Sequence, residues 1–345
     1  MIQRRNGALP PKDEVRVGTI IALPAILRNL GVNPVEVLGE IGVDIELFDD
    51  PDNRISYAAR GEMLAHCVNR TGCHHLGLLI GQQDGLKSLG LVGLLVRYSP
   101  DVRSALLGLT HFFHLHVHGA VVNLEVKEKF TALVYKTYQP GTKATDQVGD
   151  GAVAAMFNIM HELCGSLWMP SEVCFAHSKP EDIQPYQVFF QAPLIFDAES
   201  NAVIFTSDWL SRRLPHDDPD LLRLLQKQVN KLEISFAKDL PGQVRSLLRT
   251  VLLTQHASIK QVAELLSMHS RTLSRHLNAH GTSFQSLVDE GRYEIARQML
   301  KDTRIDVSQI ASILNYADTS SFIRAFRRWS GVTPGQWRDS QQEEC

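Results

Sequence analysis

One short pattern occurs twice in the last hundred residues, and it constrains this chain more than any other feature. Residues 262–266 (Val-Ala-Glu-Leu-Leu) precede Arg271-Thr-Leu-Ser-Arg275, and residues 310–314 (Ile-Ala-Ser-Ile-Leu) precede Ser320-Ser-Phe-Ile-Arg324. Ala263 and Ala311 lie 48 positions apart. In each copy an apolar stripe at helical spacing leads through a short turn into a second helix. There an arginine follows a large apolar anchor by two residues. This is a helix-turn-helix pattern in tandem, and it points to a chain that reads DNA. Ala263 to Arg275 spans 12 positions and Ala311 to Arg324 spans 13, so the second turn is expected to be one residue longer.

A reading helix keeps one face apolar and offers polar and basic side chains to the groove. Leu273 and Leu277 are the expected anchors of the first, leaving Arg271, Ser274 and Arg275 outward. Phe322 and Phe326 are those of the second, leaving Thr319, Ser320, Ile323 and Arg324 outward. Arginine pairs in bidentate fashion with guanine O6 and N7, which makes it the natural carrier of base discrimination. Lys260, Thr272, Arg327 and Arg328 are placed for phosphates. Ser258-Ile-Lys-Gln261 and Asp306-Val-Ser-Gln309 have the form of capping boxes that open the first helix of each copy.

Upstream, the periodicity predicts helices over 18–31, 34–41, 56–67 and 99–113, a short apolar run at 76–80, and an apolar helix over 152–167. Residues 119–126 and 130–138 alternate as two strands around the charged turn 127–129, an antiparallel hairpin. Short strands are expected at 173–176, 187–190 and 202–206. The fold class is therefore an α+β N-terminal ligand-binding domain followed by an all-α C-terminal domain with two helix-turn-helix motifs. The expected boundaries are a flexible tail (1–15), an effector-binding and dimerisation domain (16–214), a linker helix (215–240) and a DNA-binding domain (241–340). With 345 residues, 44% hydrophobic and 21% charged, the chain can fill two ordinary cores. Residues 241–345 hold 13 basic and 10 acidic residues, against 22 and 28 before them, so an acidic body precedes a mildly basic reader. The longest apolar stretch, 89–96, is too short for a bilayer, and no leader pattern opens the chain; the expectation is a cytoplasmic protein without membrane partners.

Residues 261–277 (Gln-Val-Ala-Glu-Leu-Leu-Ser-Met-His-Ser-Arg-Thr-Leu-Ser-Arg-His-Leu), Gly281-Thr-Ser-Phe284, the run from Ile310 to Gly331, and Pro334 together resemble the AraC/XylS family of bacterial transcription regulators. The upstream region is more loosely similar to the ligand-binding domain of the subgroup that includes ornithine-utilisation regulators. Its cues are Leu89-Gly-Leu-Val-Gly93, Ser99-Pro-Asp-Val-Arg-Ser-Ala-Leu106, and Phe196 through Trp209-Leu210 to Leu214-Pro215. The resemblance implies seven C-terminal helices and two recognition helices in adjacent major-groove segments. It places base contacts at Arg271, Ser274 and Arg275, and at Thr319, Ser320 and Arg324. It also implies a homodimer, an activator that meets RNA polymerase, and a small-molecule effector, with an amino acid or related metabolite as the candidate. This chain departs from the family at His269-Ser270, where a serine commonly opens the first reading helix, and at Ala317-Asp318, where Ser-Asp is frequent.

Other chemistry is weakly supported. His111, His114, His116 and His118 cluster around Phe112-Phe113, and three of them share a face whether the segment is helix or strand. No well-spaced carboxylate or thiol accompanies them, so the expectation is an effector-pocket lining or plain packing, with no metal and no cofactor. His66-Cys67 and Cys73-His74-His75 fit no zinc spacing. No nucleophile elbow, zincin, Walker or dinucleotide motif occurs, so no catalytic residue is assigned and the chain is not expected to be an enzyme. Two alternatives stay open: an Ada-like repair protein with a cysteine methyl acceptor, and a DNA-binding protein without an effector.

Overall fold

The computed structural model describes residues 14–117, 120–137, 143–215, 218–237, 240–254, 257–266, 268, 270–302 and 305–343. Expectations that fall on the tail 1–13, Gly119, Tyr138, His118, His216-Asp217 or His269 lie outside the described residues. The chain divides into two compact units, Met1–Phe236 and Ala237–Cys345.

The first unit mixes short helices with two sheets. In chain order it contains β1 (Glu14–Arg16), α1 (Leu23–Asn29), α2 (Pro34–Gly39), β2 (Arg54–Ser56), α3 (Tyr57–Thr71), α4 (Leu76–Gln82), α5 (Leu91–Arg97) and α6 (Val102–Phe112). Then come β3 (Ala120–Val126), β4 (Phe130–Thr137), α7 (Thr145–Cys164), β5 (Glu172–Cys174), α8 (Gln184–Phe190), β6 (Leu194–Ile195), β7 (Asn201–Thr206) and α9 (Pro219–Ala237). The five-stranded sheet has the order β3-β4-β7-β5-β6, antiparallel except for the β5–β6 pair. The expected hairpin is present, with Val122 opposite Tyr135 and Leu124 opposite Leu133.

Helix α7 organises this unit. It packs on β4 and β7 on one side and on α4 on the other. The α4–α7 crossing is so close that a Cβ on Gly77 would sit 2.0 Å from the Gln147 carbonyl oxygen, and one on Gly81 2.4 Å from that of Gly151. Only glycine permits such an approach. Polar side chains of α7 then hold both ends of α4 and the loop after it. Gln147 Oε1 accepts the Gly77 N–H at 2.8 Å. Asn158 Nδ2 donates to the carbonyls of Gly81 (3.0 Å) and Asp84 (2.7 Å), and Glu162 Oε1 accepts the Leu86 N–H at 3.0 Å.

Several expectations are corrected. Residues 187–190 are the end of helix α8, not a strand: Pro185 stands in its first turn, and Tyr186 and Phe190, four apart, are both buried. Glu14 and Val15, expected in a loose tail, form β1, where Val15 pairs with Ile55 and is completely buried. The run at 76–80 belongs to α4, while α5 and β6 lie where no element was expected. Leu225 and Val229 of α9 pack into the core of the first unit.

The second unit comprises α10 (Leu240–Thr254), α11 (Ile259–Leu265), α12 (Ser270–Ala279), α13 (Phe284–Asp302), α14 (Val307–Ile313), α15 (Thr319–Ser330) and α16 (Pro334–Glu343). Local capping explains where they begin. Ser258 Oγ accepts the Gln261 N–H at 3.1 Å, and Asp306 N–H donates to Gln309 Oε1 at 3.1 Å. Asp318 Oδ1 accepts the Ser321 N–H at 2.7 Å, and Gly331, with φ of 80°, ends α15. The long α13 packs on α10 at one side and on α14 and α16 at the other, so it joins the two helix pairs α11–α12 and α14–α15.

Candidate nucleic-acid interface and ligand cavity

The two helix pairs repeat down to single hydrogen bonds. Met268 N–H donates to the Ala263 carbonyl at 2.9 Å, and Tyr316 N–H donates to the Ala311 carbonyl at 2.9 Å, again 48 positions on. The copies fall out of step beyond that point, because Met268 to Leu273 is five positions and Tyr316 to Phe322 is six. The extra residue therefore enters the second turn after Tyr316, just where Asp318 caps α15.

Leu273 and Leu277 in α12, and Phe322 and Phe326 in α15, are completely buried. That fixes the opposite faces outward. Arg271 and Arg275 are exposed, with Thr272 and Ser274 half-buried beside them. Arg271 and Arg275 carry no ion pair among the described residues. On α15, Ser320, Arg324, Arg327 and Arg328 are exposed and Thr319 is half-buried. Arg324 Nη2 donates to Ser321 Oγ at 3.1 Å, and that hydroxyl donates to Asp318 Oδ2 at 2.8 Å. The Ser321 N–H and hydroxyl hold the Asp318 carboxyl below its usual range. Arg328 is tied to Asp289 of α13 at 2.7 Å, so part of its charge is neutralised within the protein. Lys260 is exposed in the first turn of α11.

In the first unit a cavity of about 60 Å³ lies between the inner face of the β3–β4 hairpin and helices α3, α4 and α7. Its wall is mostly apolar, with polar contributions from Arg60, Asp84, His116, Tyr135 and Gln147. Tyr135 reaches the Tyr57 hydroxyl at 3.0 Å. Asp84 and Gly85 also line an outer cleft of about 860 Å³. Burial pushes the Asp84 carboxyl up to about 7, against hydrogen bonds from Ser88 and Gly85 and the charge of Arg60. Burial, and then the charges of Arg16, Arg54 and Arg60, hold the His116 imidazole well below its ordinary value.

The histidine cluster does not act as one group. His111 is exposed at the end of α6, its ring 4.5 Å from that of Phe112. His114 is buried with Nδ1 2.8 Å from the His111 carbonyl. Of these three described histidines only His116 lines the cavity, because the chain leaves α6 through a tight turn at Phe113–Leu115. Arg60 is the important residue that the sequence pattern did not single out. A second buried polar group lies nearby: Asp150 accepts from Tyr186 Oη at 2.6 Å and lies 2.8 Å from His177 Nε2. Among the described residues no three His, Cys, Asp or Glu side chains converge as a metal site. Cys67 is completely buried, and burial pushes its thiol to about 11, a poor setting for a methyl acceptor. Burial also raises the Cys73 thiol.

A tandem helix-turn-helix behind an α+β domain with an apolar-walled cavity defines a DNA-binding transcription regulator with an N-terminal ligand-binding domain. A family model described as the arabinose-binding domain of AraC transcription regulator, N-terminal, matches residues 31–214, more than half of the chain, and a helix-turn-helix domain model matches residues 262–340. The chain belongs to the AraC family of transcription regulators. It is 24% identical over 322 residues to the ornithine utilization regulator of Pseudomonas aeruginosa, covering 92% of this chain and 94% of that one. It is 25% identical over 328 residues to the regulator VirS of Mycobacterium tuberculosis, covering 94% and 96%. The crystal structure of the regulator CdpR from Pseudomonas aeruginosa aligns over 91% of this chain and 98% of that one, with 20% identity and a TM-score of 0.44. The Pseudomonas ornithine utilization regulator and VirS are both transcription regulators by name. Among the described residues no helix is long and apolar enough to cross a membrane.

Proposed function

We propose that this protein is an effector-responsive activator that acts in the cytoplasm as a homodimer and performs no catalysis. Residues 16–214 bind the effector and dimerise, 215–240 form the linking helix, and 241–340 bind the promoter. Base readout falls to Arg271, Ser274 and Arg275, and to Thr319, Ser320 and Arg324. Lys260, Thr272 and Arg327 meet phosphates, and Arg328 does so after its pairing with Asp289 is loosened. The observation that carries this reading is the pair of helices whose anchors are fully buried while their arginines point outward. A small metabolite in the cavity shifts the balance between states of different promoter affinity, a coupling of typically ~1–3 kcal/mol, and the DNA-bound state recruits RNA polymerase.

The test is a mobility-shift titration on promoter fragments against random duplex of equal length, with and without effector extracts, followed by transcription in vitro. Salt-dependent binding at least 1,000-fold tighter to one promoter, which is about the low end for specific readers, supports the reading. Equal affinity for both DNAs removes it.

A further inference from the structure

Arg60 is an unusual charge for its position. It is 7% exposed, its Nε–H is buried without a hydrogen-bond partner, and it forms no ion pair among the described residues. Its guanidinium carbon lies 5.8 Å from the Tyr57 ring centre, a contact that answers only one of its faces. A guanidinium cannot shed its proton to escape burial; the Asp84 carboxyl on the same wall feels this charge but forms no ion pair with it among the described residues, so the charge still calls for an anion.

His116 supplies a second unanswered donor on the same wall. Arg16 is donor-only, and its Nη1 lies 3.3 Å from His116 Nδ1. Nδ1 must therefore accept, and the neutral ring carries its proton on Nε2. That Nε2 is buried with no hydrogen-bond partner, and His116 is 2% exposed. Arg60 and His116, one of them charged, both line a cavity whose wall also carries Asp84, Tyr135 and Gln147 and is otherwise mostly apolar, with Leu64, Ile80, Leu109, Met156 and Ile159. Their complement is a group with acceptors only and a negative charge, attached to an apolar chain. Asp84 shares the wall and disfavours a dianion such as phosphate. A volume of about 60 Å³ is well above the roughly 10–15 Å³ that a single water needs, so a small ligand fits.

We propose that the cavity binds a short-chain monocarboxylate, its carboxylate held by Arg60 and by His116 Nε2 and its chain against the apolar wall. The proposal rests on the effector reading above and adds the chemical class.

The test uses the full-length protein in thermal unfolding with acetate, propionate, butyrate, octanoate, butyramide, butylamine and inorganic phosphate. Propionate or butyrate should raise Tm by about 5 °C at a hundredfold excess over Kd, while butyramide, butylamine and phosphate leave it unchanged. Arg60→Met removes a buried unpaired charge, so it should fold with an equal or higher Tm, bind DNA as wild type does without ligand, and lose the acid response. Arg60→Lys should recover part of it. Silence toward every acid overturns the proposal, as does a response that survives Arg60→Met. The effector reading is judged separately: an acid response that survives Arg60→Met keeps it, as does a response to butyramide, butylamine or phosphate, and silence toward every probe counts against it.

Discussion

Asp150 in α7 and His177 beyond β5 are joined by a 2.8 Å hydrogen bond at the centre of the first unit, with the Asp150 side chain almost wholly enclosed. Tyr186 donates to the second carboxylate oxygen at 2.6 Å, and His177 Nδ1 lies 2.9 Å from the Ser178 carbonyl. The three side chains thereby tie α7, the β5 loop and α8 together. Burial alone lowers the His177 imidazole, but the hydrogen bond and charge of Asp150 outweigh it and raise the group above its ordinary 6.5. Its contribution to stability is thus complete below that value and is lost as pH rises through the folded value. Burial raises the Asp150 carboxyl as well, which slopes stability the same way. Urea midpoints should fall from pH 6 to pH 8.5, and His177→Gln should flatten that slope. Asp150→Ala strands two partners and should cost about 3–5 kcal/mol.

The reader helices predict an unequal pair of losses. Arg275→Ala and Arg324→Ala should each weaken promoter binding by ~1–3 kcal/mol, roughly 5- to 150-fold, with unchanged unfolding midpoints. Arg271→Ala on top of Arg275→Ala should cost more than any pair in α15, because α15 offers one outward arginine on its reading face. Fluorescence anisotropy on specific and random duplex separates base contacts, which relax specificity, from phosphate contacts, which weaken both alike.

The α4–α7 crossing predicts a stability defect without a chemical one. Gly77→Ala places a methyl 2.0 Å from the Gln147 oxygen, so the helices must part. A loss of about 1–3 kcal/mol or more is expected, confined to the first unit. Hydrogen exchange should show weakened protection in α4 and α7, with the second unit untouched.

Asp84 gives a second pH signature. Its carboxyl titrates at about 7 in the folded state against an ordinary 3.8, so the folded protein binds the extra proton and stability declines as pH climbs between those values. Asp84→Asn should be nearly neutral at pH 4 and stabilising above pH 7, by on the order of 1–3 kcal/mol given its partial exposure. Equal effects at both extremes would falsify the assignment.

Patterns with several periods were legible in the sequence, and single side chains were not. The helix pairs were readable because Leu273 and Leu277, and Phe322 and Phe326, stand four apart behind recognisable caps. The β3–β4 hairpin was readable because it alternates over its whole length. Four residues at 187–190 were too few to distinguish alternation from the Tyr186–Phe190 helix spacing. Apolar periodicity does not mark Arg60, because it is a charged side chain on the face that it shares with Leu64 and Cys67. The four histidines looked like one group because they are close in sequence. The turn after Phe112 sends His111, His114 and His116 in different directions, which no local pattern encodes.

The additional residue between Tyr316 and Phe322 makes the two repeats non-interchangeable parts. Each reading helix reaches its first anchor three residues after it begins, Ser270 to Leu273 and Thr319 to Phe322, so the extra residue lengthens the joint and leaves the helix register alone. An exchange between the two halves therefore has to carry joint and helix together, because each joint is cut to the length of its own seat.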